Sequence, residues 1–147
     1  MTDLLKLYAM DVDDLQVISA ALEGAITSPG EISYAAKARQ LSLTVSRMRW
    51  EKTSERTPRE ASRIRCGVLI ADIMNIRSRG IPRDIPTLGM ELLSIHCKEA
   101  EEGLHQISLI FADDRELELT VECINVALTD SGEPWTTDKI PTHDLEN

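Results

Sequence analysis

The sequence predicts an α+β fold, with about seven mostly antiparallel strands in a strongly bent sheet or open barrel and one amphipathic helix after the first strand. Three stretches carry that expectation. Between His105 and Cys123, apolar and polar residues alternate on both sides of the turn Ala112-Asp113-Asp114-Arg115. Side chains two apart share a strand face, so Ile107, Leu109, Phe111, Leu117, Leu119, Val121 and Cys123 form a dry surface, with Ser108, Glu116, Glu118, Thr120 and Glu122 on the wet one. Ile32, Tyr34 and Ala36 alternate up to a turn near Lys37 to Arg39, and Leu41, Leu43 and Val45 alternate after it, giving a second hairpin. A one-sided sheet needs a cover. Leu15, Ile18, Leu22, Ala25 and Ile26 recur at helical spacing and supply it.

Taken in order, Leu4 to Met10 alternates and reads as a first strand. Asp11 caps the helix, with Asp13 and Asp14 in its first turn, where negative charge suits the dipole, and Ser28-Pro29-Gly30 ends it. From Arg47 the charged residues take the odd positions and Met48 and Trp50 the even ones, which predicts a bulge or strand end near Ser46. Glu51 to Ser62 is a polar loop interrupted by Pro58. Ile64, Cys66, Val68, Ile70, Met74 and Ile76 keep one parity and predict a long strand, bent near Asp72 and ending at Arg79-Gly80. Pro82 and Pro86 exclude regular pairing between Ile81 and Pro86, because proline has no amide donor. Leu88 to Lys98 is the next strand, turning at Glu99 to Gly103 into the hairpin. Ile124, Ala127 and Leu128 fit a short C-terminal helix closed by Gly132. This divides the chain into one domain over 1–132 and an acidic, mobile tail over 133–147 anchored by Trp135. Strand count and a terminal helix make a pleckstrin-homology-like roll a possible specific form.

Composition narrows the function classes. Aromatic residues make up 3% of the 147 residues, so the core is aliphatic and platforms for stacking bases or sugars are scarce. The N-terminus has no basic leader, and the longest apolar run, Val68 to Ala71, is far short of the roughly 20 residues that span a bilayer. A cytoplasmic protein without a membrane segment is expected. Cys66, Cys97 and Cys123 lack metal-ligand spacing and read as buried free thiols. No metal site and no cofactor motif is expected. Asp113 and Asp114 are turn formers.

Charge is placed unevenly. Twelve of the sixteen Lys and Arg residues lie between Lys37 and Arg83 against four acids, so that span carries +8 in a chain of net charge −9. Six arginines form i, i+2 pairs, Arg47 with Arg49, Arg63 with Arg65, and Arg77 with Arg79, and each pair projects from one face of a strand. With Trp50 they form a candidate surface for an anionic ligand or an acidic protein partner. The competing reading is that Glu116, Glu118 and Glu122 neutralise them across strands. Nucleic acid is disfavoured by the negative net charge and the missing motifs. A non-enzymatic binding or adaptor domain, working as a homo-oligomer or with an acidic partner, is the first functional expectation. An enzyme on a small anionic substrate is the alternative, with an arginine clamp and Asp72, His96 or His105 as general base, although Asp72 in LIADIMNI also fits a bulge or an edge facing water.

Three blocks carry a family resemblance: LKLYAMDVDDLQVISAALEGAI at the start, Arg77-Ser78-Arg79-Gly80-Ile81 in the middle, and LTVECINVALTDSGEPW near the end. Together they resemble a small bacterial family designated DUF2948, a domain of unknown function, from about Leu4 to Trp135. The resemblance implies a cytoplasmic bacterial protein of one domain and assigns no activity. Members are often encoded beside a histidine-biosynthesis dehydrogenase, a hint about partners, and a structural partner of a metabolic enzyme is the third functional expectation. The chain departs from the family where Asn-Arg-Phe-x-Trp-Glu is replaced by Ser46-Arg47-Met48-Arg49-Trp50-Glu51. It departs again at Leu69 and at Ala71-Asp72, where the family tends to carry a His and an Asp-Arg. No functional residue is carried over.

Overall fold

The computed structural model describes residues 4–53 and 61–137. Its elements are β1 (Lys6–Ala9), α1 (Val12–Ala21), β2 (Ala25–Thr27), β3 (Ile32–Ala35), β4 (Gln40–Met48), α2 (Trp50–Thr53), β5 (Ala61–Ile70), β6 (Ile73–Arg79), β7 (Met90–Glu99), β8 (His105–Phe111), β9 (Arg115–Val121) and β10 (Val126–Thr137). The strands form one ten-stranded sheet in the order β1-β10-β5-β4-β2-β7-β8-β9-β6, with β3 added to β4. Every pairing is antiparallel. The α+β class therefore holds, with ten strands in place of the seven expected.

The alternating residues set the register. Leu109 faces Leu117 and Ile107 faces Leu119 across the β8–β9 hairpin, whose turn places Asp113 and Asp114 at φ 66° and 61°. Asp tolerates this left-handed region better than most residues because its short side chain can bond locally. Leu41, Leu43 and Val45 face Ile70, Val68 and Cys66 in the same way. Side chains of both halves and of α1 join one apolar core that includes Leu15, Ile18, Phe111, Leu119 and Leu128. Burying an aliphatic or aromatic side chain of this size contributes about 1.5–3 kcal/mol.

The bend expected at Asp72 is present and sharper than a curved strand. Asp72 sits at φ 61°, which breaks the extended backbone, so β5 and β6 lie in opposite halves of the sheet. The corner is held by hydrogen bonds from Ala71 N to Asn125 O (3.0 Å), from Glu122 N to Asp72 O (3.0 Å) and from Ile73 N to Arg39 O (3.1 Å).

Four expectations are corrected. Helix α1 starts at its Asp11 cap, whose side chain accepts from Asp14 N at 2.8 Å, but it stops at Ala21. Gly24 at φ 82° turns the chain, and Ala25–Thr27 becomes β2, bridging β4 and β7. The C-terminal helix is absent: the segment from Val126 is β10, inserted between β1 and β5, where paired backbone outweighs a weak helical spacing. A pleckstrin-homology-like roll thereby loses the terminal helix on which it rested. Of the bulge or strand end expected near Ser46, the strand end is present: β4 pairs with β5 in unbroken register to Met48 and stops there. Cys123 is exposed, because β9 ends at Val121 and the alternation ends with it, while Cys66 is buried as expected and Cys97 is half-buried. Strand β10 also runs past Gly132 to Thr137, with its register shifting between Ser131 and Trp135. The expected loop over 51–62 and the tail lie partly outside the described residues.

Candidate functional site in the arginine strands and the β3–β6 seam

Arg47 explains why β4 stays regular up to its end. It continues the inward row Leu41, Leu43, Val45 and has no exposed surface. Its Nε donates to Asp130 Oδ1 at 2.8 Å and its Nη2 to Asp130 Oδ2 at 2.7 Å, a bidentate pair over β5. Nη1 donates to Met48 O (3.0 Å), and both terminal nitrogens reach Glu51 on α2 at 3.2 and 2.9 Å. Asp130 completes its set by accepting from Leu5 N at 2.8 Å. Burial alone would favour the neutral forms. The hydrogen bonds between the partners outweigh it, raising the pKa of Arg47 and holding Asp130 and Glu51 below the usual carboxylate range.

Two further arginines are buried braces. Arg63 donates from Nη1 to Ser46 O (2.7 Å) and Oγ (2.8 Å), and from Nη2 to Gly24 O (3.2 Å), tying β5 to the end of β4 and the start of β2. Burial is the main influence on its pKa and lowers it. Arg49 bonds Ser62 through its backbone N at 2.7 Å and its Nη1 at 3.2 Å. Trp50 Nε1 donates to Glu23 O at 2.9 Å. Arg65 is exposed on the outer face of β5.

The third pair lies in the other half of the sheet. Arg77 meets Glu118 at 3.2 Å, and Arg79 meets Glu116 and Asp114 at 3.1 Å each, all partly exposed. Arg39 meets Glu122 at 2.6 Å. The six arginines therefore do not converge. Arg47, Arg49, Arg63 and Trp50 stand where β4 runs into β5, and Arg77 and Arg79 form cross-strand ion pairs on β6 and β9. Among the described residues, Arg39, Arg47, Arg77 and Arg79 are each met by a carboxylate.

A different feature is concave. Among the described residues β3 and β6 each pair along one edge, with β4 and β9 respectively, and their other edges line a groove of about 560 Å³. Leu41 and Leu117, both core residues, form its floor, Ile32, Tyr34, Ile76 and Ile81 its walls, and Ser33, Ser78 and Arg83 supply polar groups. The loop after β6 closes one end and is tied twice. Arg115 Nε donates to Gly80 O at 2.8 Å, and Gly30 N donates to Pro86 O at 2.9 Å. A Cβ on Gly30 would stand 2.9 Å from that same oxygen, so the approach requires glycine. Arg83 makes no ion pair among the described residues.

The family described as Protein of unknown function (DUF2948) matches residues 5–143. The chain belongs to that family. No curated protein and no solved structure matches it. In this DUF2948 member the buried ion pair, the arginine braces and the groove all lie within the matched span.

The remaining candidates are placed as follows. Asp72 accepts from Asn125 Nδ2 (3.0 Å) and Cys123 Sγ (3.2 Å), which with Arg39 hold its pKa below the ordinary value rather than raising it as a buried base requires. It is the corner residue between β5 and β6 in this chain. His96 Nε2 lies 3.0 Å from Ser94 Oγ on β7, beside a groove of about 460 Å³ between α1 and β7. His105 is half-buried on β8. Among the described residues no three His, Cys, Asp or Glu side chains could hold a metal, and no helix is long and apolar enough to cross a membrane. Asp130 was missed by the sequence reading, although it shares the parity of Val126 and Leu128. Nothing local in the loop between Pro82 and Pro86 singles out Arg83.

Proposed function

We propose that this chain is a non-enzymatic binding domain that takes an anionic ligand in the β3–β6 groove, with Arg83 as its cation. The observation that carries this reading is an exposed guanidinium, without an ion pair among the described residues, beside an apolar floor and three hydroxyl-bearing side chains, Ser33, Tyr34 and Ser78. Ligand sites combine these elements, a mostly apolar cleft of about 300–1,000 Å³ and a few polar groups that orient the occupant. The rows of Arg77 and Arg79 support it less, because carboxylates already occupy them. Calorimetric titration with organic anions carrying an apolar body tests the reading. Binding should weaken as salt is added. Arg83→Gln should weaken it about tenfold, equivalent to roughly 1.4 kcal/mol. Affinity unchanged by that substitution overturns it.

A further inference from the structure

Resting on that reading of the groove, we infer that its occupant is an extended acidic peptide that enters as an additional strand between β3 and β6. The groove is not a hollow between side chains alone. It is flanked by two strand edges with no strand partner among the described residues, Ile32 to Tyr34 on one side and Ile76 to Ser78 on the other. Such edges present main-chain amides and carbonyls, the template on which an added strand forms hydrogen bonds. At about 3.3 Å per residue, three residues on each side match a peptide stretch of three to four residues.

The ends and floor of the groove restrict the peptide further. One end is shut by the hydrogen bond from Ile73 N to Arg39 O, so the strand cannot run through. At the other end the loop containing Pro82 and Pro86, fixed through Gly30 and Gly80, holds Arg83 at the rim. Alternate peptide side chains meet the half-buried Ile32, Ile76 and Ile81, so apolar residues at every second position fit, and an Asp, Glu or C-terminal carboxylate fits Arg83. Because the prolines and the two tethers restrain the loop beforehand, little ordering is left to oppose binding.

The test uses the full chain and an array of random eight-residue peptides with free C-termini. Captured sequences should alternate apolar residues and carry an acidic group. The tightest peptide should lose at least tenfold in affinity on N-methylation of alternate backbone amides, and about tenfold against the Arg83→Gln chain. N-methylation without effect overturns strand addition. Succinate or inorganic phosphate binding as tightly as the best peptide, and losing affinity with Arg83→Gln, also overturns the peptide while leaving the anion groove in place. If neither peptides nor these anions respond to Arg83→Gln, both the inference and the reading beneath it fall.

Discussion

Arg47 and Asp130 meet over the inner face of β5, joined by hydrogen bonds of 2.8 and 2.7 Å, and neither side chain is open to solvent. Removing Asp130 leaves the buried Arg47 with Glu51, a partly exposed carboxylate, as its one remaining ion partner among the described residues. Asp130→Ala should therefore lower stability by about 3–5 kcal/mol, read from urea unfolding. The double replacement Arg47→Met with Asp130→Leu should recover most of that loss, because well-packed apolar groups avoid the desolvation penalty. A double variant no more stable than Asp130→Ala would show that the pair holds the structure in a way packing cannot replace.

The same pair predicts an acid limit. Asp130 and Glu51 both have lowered pKa values in the folded chain, from ordinary values of 3.8 and 4.5. A carboxylate of this kind contributes its full stabilisation above its unfolded pKa and loses it as pH falls through the folded one. Stability should be level in this respect above about pH 5 and decline below about pH 4. The decline should be shallower in Arg47→Met with Asp130→Leu, which urea midpoints measured across that range would show.

At Asp72 the backbone conformation and the side chain can be separated. Asp72→Gly keeps a residue at ease at φ 61° and removes only the bonds to Asn125, Cys123 and Arg39. Asp72→Ala loses those bonds and adds left-handed strain of about 1–2 kcal/mol. The alanine chain should be the less stable by that difference in thermal unfolding. Equal stabilities would mean that the corner relaxes.

Thiol reactivity should separate Cys123 from Cys66 by environment. Burial pushes the Cys66 pKa up to about 12, and its side chain is enclosed. Cys123 is exposed, and its pKa is raised chiefly by the hydrogen bond it donates to Asp72. Alkylation of the folded chain should modify Cys123 first and leave Cys66 untouched until denaturant is added. Asp72→Asn should speed the Cys123 reaction near neutral pH. Mass spectrometry of timed samples checks both.

The hairpin from His105 to Val121, the β3–β4 hairpin, the cap at Asp11 and the corner at Asp72 were legible because each is a local pattern that burial reinforces. The errors arose where a distant partner decided the outcome. Arg47 interrupts the apolar alternation because its partner, Asp130, lies far along the chain. Ala25 and Ile26 fit the helical stripe until Gly24 and the open place between β4 and β7 are taken into account. Ile124, Ala127 and Leu128 carry a weak helical spacing, but two waiting strand edges outweigh it. The groove was illegible for the same reason, since β3 and β6 become neighbours only when the sheet curls round.

The place of β10 between β1 and β5 has a consequence for biosynthesis. The first described strand has no neighbour on that side until the last described one has been made, and β5 borders a gap until then. A nascent chain leaving the ribosome can form the middle hairpins early, but it cannot complete its sheet or bury Arg47 with Asp130 before Val126 to Asp130 has emerged. Closing the sheet between β1 and β5 is therefore a late step, gated by the emergence of β10.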